Sequence, residues 1–96
     1  MFTVSVPSQY GVNATIHRAT GWPVIDLKNG NITILISGWT DINAYNNGNA
    51  PILNTEVILT ATSIFGAIAQ NPTTPEQAID ALIIAAVSQF TGATEN

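Results

Sequence analysis

The side chains able to do chemistry are few: one histidine, six carboxylates, two cations and no cysteine. A histidine of ordinary pKa can serve as general base or metal ligand near neutral pH, but both roles need partners. With no second histidine and no thiolate, a zinc-type ligand set cannot be assembled around His17. His17 alternates with Val12, Ala14 and Ile16 and stands beside Asn13 and Thr15, so it is expected on the solvent side of a strand. Ser5, Ser8, Ser37, Ser63 and Ser88 all lack the paired glycines of a nucleophile elbow. Asp26, Asp41 and Glu56 lie on separate segments, and nothing in their spacing forms the carboxylate pair that glycoside hydrolysis requires.

The run Asp41 to Ile52 has the length of a calcium loop but fails its chemistry. Asn46 stands where the sharp turn needs glycine, and Ile52 stands where a bidentate glutamate should close the site. Its amides, with the faces of Trp39 and Tyr45, allow one alternative function: a small carbohydrate-binding module using Trp39 to Asn49. Asn13-Ala14-Thr15 and Asn31-Ile32-Thr33 match the glycosylation pattern. No signal-peptide-like start gives that match meaning. The expectation is therefore a non-enzyme with no catalytic residue, no metal site and no cofactor.

What remains is apolar surface. Trp22, Trp39 and Tyr45 fall at strand ends or in a loop, where aromatic anchors of protein interfaces concentrate. Leu35 joins Trp22 on a partly apolar strand face, and Phe2 sits on a segment able to reach outward. These five are the candidate interface residues.

The elements that must position them form an α+β pattern. Asn29-Gly30 favours a two-residue turn. That turn would place Lys28 opposite Asn31, Leu27 opposite Ile32 and Ile25 opposite Ile34, with Pro23, Ile25, Leu27, Ile32, Ile34 and Ile36 on one face. Val12 to Arg18 and Thr55 to Thr62 alternate as further strands, with Thr20-Gly21 as a break. Asp41 to Asn54 reads as a long surface loop, and Ser63 to Gln70 as a short helix. Thr74-Pro75-Glu76-Gln77 is a helix start with a capping box. Ile79, Leu82, Ile83, Ala86 and Phe90 then follow helical spacing until Thr91-Gly92. The expected fold is an antiparallel sheet of three to four strands with a C-terminal helix packed on one face. It forms a single domain over 1–96, with 1–9 as an N-terminal arm or short strand and 92–96 as a frayed tail.

Composition sets the way of life. Only 8% of residues are charged, while 46% are hydrophobic. A free-standing domain carries about a quarter charged residues, and a chain this short has much surface for its volume. Other protein is therefore expected to cover part of the exterior. Arg18 and Lys28 are the only cations, against a net charge of −4. That excludes the basic stripe needed for nucleic acid or an anionic membrane surface. The longest apolar stretch, Ala78 to Val87, is interrupted by Asp80 and falls short of the roughly 20 residues that span a bilayer.

The layout also carries a resemblance. Tyr10-Gly11-Val12-Asn13-Ala14-Thr15-Ile16-His17 precedes a strand ending in Val24-Ile25-Asp26. After the turn comes Ile32-Thr33-Ile34-Leu35-Ile36-Ser37-Gly38-Trp39, then Asp41, a long loop to Pro51, another strand and a terminal helix. Over residues 10–90 this resembles small virion-associated proteins from the tail and baseplate region of tailed bacteriophages and prophages. The resemblance implies a structural protein of tail, baseplate or capsid surface, made in the host cytoplasm and resident in the virion. Its partners would be copies of itself and neighbouring virion proteins, and it would perform no catalysis.

Overall fold

The computed structural model describes residues 1–96. The chain runs β1 (Phe2–Pro7), β2 (Asn13–Asp26), β3 (Asn31–Trp39), α1 (Ile42–Asn46), β4 (Leu53–Thr60), α2 (Ala61–Gln70), α3 (Pro75–Ala86), a 3-10 turn (Ser88–Phe90) and β5 (Thr94–Glu95). The fold is α+β, with five antiparallel strands in the order β4-β3-β2-β1-β5. The fifth strand comes from the segment expected to fray. Thr94 and Glu95 pair with Thr3 and Phe2, the Asn96 amide donates to the Met1 carbonyl at 2.9 Å, and Thr3 Oγ1 bonds Asn96 Oδ1 at 2.7 Å. β1 is likewise part of the chain's own sheet, paired to β2.

Helices α2 and α3 pack on one face of the sheet. Ile32, Ile34 and Ile36 alternate along β3 and, with Val57, Ile64, Ile79, Ile83, Phe2, Val6 and Phe90, make the core. Each fully buried side chain of this size contributes about 1.5–3 kcal/mol before entropic costs. α2 follows β4 without a loop, because the Thr60 hydroxyl accepts from the Ser63 amide and starts the helix two residues before the expected boundary. α3 begins at Pro75 as expected, but the Thr74 side chain makes no capping bond. It ends at Ala86 rather than at Thr91. Val87 is extended, and the 3-10 turn then brings Phe90 back into the core.

The hairpin turns over the expected residues with a different register. Asp26 pairs with Asn31 and Ile25 with Ile32, which leaves Leu27 to Gly30 as a four-residue loop. Gly30 has φ +68°, whereas Asn29 does not enter the left-handed region, so the two-residue turn is absent. The cause is local. Asp26 accepts from the Asn29 amide at 3.2 Å and from Asn29 Nδ2 at 2.8 Å, bonds that also hold its carboxyl below the usual range. The pairing slips by two residues, so Ile25 stays on the Ile32 face while Leu27 leaves the sheet and becomes 89% exposed. The expected Thr20-Gly21 break survives as two irregularities within one continuous strand, between Ala19 and Gly21 and between Gly21 and Val24.

Candidate functional site

Residues directly opposite one another in an antiparallel ladder share a face. On the face away from the helices this alignment gives three rows across β2, β3 and β4: Val24–Thr33–Ile58, Gly21–Leu35–Glu56 and Arg18–Ser37–Asn54. The last row is a polar band. Ser37 Oγ donates to Asn54 Oδ1 at 2.9 Å and lies 3.3 Å from Thr20 Oγ1. Towards the hairpin the face turns apolar, with Val24 and Ile58 exposed and Leu35 half-buried. On the helix side of the sheet, Ile25 stands exposed opposite Ile32, Leu27 is exposed in the hairpin loop, and Trp22 meets the exposed Phe65 of α2 edge-to-face at 6.4 Å. Isolated exposed apolar residues are ordinary. Here they fall at the hairpin end of the open face and at the α2 margin, on a domain of only 96 residues.

The expected interface residues divide. Leu35 lies half-buried on the open face, whereas the irregularity between Gly21 and Val24 leaves Trp22 against Phe65 on the helix side. Phe2 is not at the surface: it is 0% exposed and lies in the core against Phe90, with ring centroids 5.1 Å apart. Pairing β1 between β2 and β5 turns Phe2 inward, which removes it from the candidate interface. Trp39 and Tyr45 form a separate site at the opposite end of the strands. Asp41 caps α1 by accepting from the Ala44 amide at 2.8 Å. The short helix presents Tyr45 to Trp39, with centroids 4.9 Å apart.

Arg18, Thr20, Trp39, Tyr45, Gly48 and Asn49 line a cleft of about 410 Å³ there. Its strongest donors are already engaged. Trp39 Nε1 donates to the Asn49 carbonyl at 2.8 Å. Arg18 donates to the Tyr45 hydroxyl and, through Nε, to Glu76 Oε1 at 2.7 Å. The Glu76 bond and then the Tyr45 bond raise the Arg18 pKa. Arg18 thus ties β2 to α1 on one side and α3 on the other. The aromatic faces remain available for stacking, but the Trp39 N–H, the Tyr45 hydroxyl oxygen and two Arg18 N–H groups beside them are already bonded.

His17 is a correction. It is 1% exposed, not solvent-facing. Its ring stacks on Phe2 at 5.4 Å, meets Phe90 at 5.1 Å, and places Nε2 2.8 Å from the Val4 carbonyl. Burial lowers its pKa, outweighing the backbone bonds that favour the charged ring. β1 and the 3-10 turn cover this side of β2, and local alternation in β2 carries no signal of either.

Sequence spacing also missed a carboxylate cluster. Glu76, Asp80 and Glu95 converge on the Met1 ammonium at 3.6, 2.5 and 3.6 Å. Burial opposes the ammonium charge, but the bond to Asp80 and the surrounding carboxylates prevail and raise its pKa. Asp80 is wholly buried, and its Oδ1 has no hydrogen-bond partner. Desolvation, reinforced by Asp80, pushes the Glu95 pKa up to about 7. With the amine at its centre, the cluster ties the N-terminus to α3 and β5.

No helix is long and apolar enough to cross a membrane. In comparisons with known proteins, the chain matches no family model, no curated protein and no solved structure.

Proposed function

We propose that this chain is a structural subunit that assembles by packing, with copies of itself and with neighbouring proteins, into a symmetric virion particle of the tailed-phage type. Tail, baseplate and capsid surface are the three settings in which such a subunit would serve. The observation that carries the reading is the apolar surface the fold leaves in solvent: Val24 and Ile58 on the open face, Ile25 and Leu27 at the hairpin, and Trp22 with Phe65 on the helix side. Interfaces are depleted in charge at their centres, and a chain with 8% charged residues is suited to that environment. Electron microscopy of the concentrated protein tests the reading. Closed rings or tubes of repeating subunits are expected, and a field of single small particles would count against it.

A carbohydrate-binding role for Trp39 to Asn49 is served less well. The Trp39 indole N–H, the Tyr45 hydroxyl and the Arg18 guanidinium that would grip a sugar are engaged with one another and with the loop. Binding on a glycan array that disappears on Trp39→Ala would reverse this preference.

A further inference from the structure

The two sides of the sheet end differently. On one side, β5 is only two residues long, and β1 reaches β2 no further than His17. The remainder of β2, from Arg18 to Asp26, is an edge broken by two register irregularities and by Pro23. Bulges and prolines of this kind blunt an edge against further pairing. The other side is β4, and it is not blunted. Its eight residues pair with β3 in unbroken register and include no proline and no lysine.

The phase of that ladder fixes which groups are free. The Ala61 amide donates to the Gly30 carbonyl at 2.8 Å. Bonded pairs alternate along an antiparallel ladder, so Leu59, Val57, Thr55 and Leu53 direct their backbone groups at β3. Asn54, Glu56 and Ile58 direct theirs outward, away from the sheet. Their side chains are exposed on the open face, with Ile58 at 66%.

Resting on the assembly reading above, we infer that β4 pairs antiparallel with β4 of a second copy about a two-fold axis, joining two five-stranded sheets into one of ten. The strand is complementary to itself under that operation. Outward donors and acceptors recur at every second residue, so a two-fold that sets Ile58 opposite Ile58 pairs residues 56 to 60 of the two strands and leaves Asn54 beyond the paired segment. That register places Glu56 opposite Thr60 of the second copy and keeps the two carboxylates from facing each other. It also runs the row Val24–Thr33–Ile58 into its symmetry mate, giving one apolar band across the joined sheet. The same axis covers the most exposed apolar side chain of β4.

The chain has no cysteine, so single-cysteine crosslinking tests the register directly. Opposed residues in a bonded antiparallel pair have Cα atoms about 5.5 Å apart, within disulfide reach. Under mild oxidation Ile58→Cys is expected to give a covalent dimer, while Val24→Cys, two strands from the axis, gives none. Ile58→Lys, which sets like charges against each other, is expected to weaken dimerisation roughly tenfold or more. If Val24→Cys crosslinks as readily as Ile58→Cys, or if Ile58→Lys self-associates like the unaltered chain, the edge pairing is wrong and the assembly reading stands. If the unaltered chain does not associate at any concentration, the assembly reading itself fails.

Discussion

The imidazole of His17 lies against Gly38 so closely that a methyl group at position 38 would sit 2.9 Å from Nδ1. The two residues are paired across β2 and β3. The glycine is there for space: its φ lies outside the left-handed range, and the atoms it would strike are the His17 ring and Ala14 Cβ at 3.0 Å. Gly38→Ala is therefore expected to destabilise the fold by about 1–3 kcal/mol in urea titration, as overpacking does. In a His17→Ala background that cost should shrink, with a coupling of about 1 kcal/mol between the sites. An equal cost in both backgrounds would show that the ring does not determine the clash.

Buried His17 and exposed Glu95 give pH dependences of opposite sign. His17 has its pKa lowered in the folded state, so its contribution is present above 6.5 and is lost as pH falls below that value. Glu95 has its pKa raised from 4.5 to about 7, so its contribution is full below 4.5 and is lost as pH rises through 7. Glu95→Gln keeps the size of the side chain and removes its titration. Between pH 5 and 8 the unaltered protein should lose melting temperature relative to this variant. A constant difference across that range would remove Glu95 as the titrating group.

The turn makes a distinct prediction. Gly30→Ala should cost about 1–2 kcal/mol, because position 30 is left-handed and the space around it is open, leaving backbone strain as the penalty. Asn29→Ala loses the Nδ2 bond to Asp26 but meets no such strain, since position 29 is not left-handed, and should cost less than Gly30→Ala. A two-residue turn at Asn29-Gly30 would impose the strain at both positions. Equal losses in the urea midpoint for the two variants would restore that turn.

These outcomes also show what was legible in the chain. Period-two apolar spacing found the Ile32, Ile34 and Ile36 face, and helical spacing with Pro75 found the start of α3, because burial enforces both patterns. The hairpin register was misread because the Asp26 side chain competes for the Asn29 amide, a bond that turn propensity alone does not weigh. His17 and Phe2 were misplaced for one shared reason. Each is buried by segments distant in sequence, β1 on β2 and Phe90 on both, and local alternation cannot register them. The exposed apolar surface was half visible. Ile58 already stood on the polar side of its strand, between Glu56 and Thr60, whereas Leu27 was exposed only by the register shift. The carboxylates around Met1 come together through β5, a strand too short to leave a pattern.

Sedimentation velocity of the unaltered chain across a concentration series tests the central claim most directly. Self-assembly through the open face and the β4 edge predicts an average mass that climbs from the 10.1 kDa of one chain with increasing concentration. A single 10.1 kDa boundary at every concentration would contradict it.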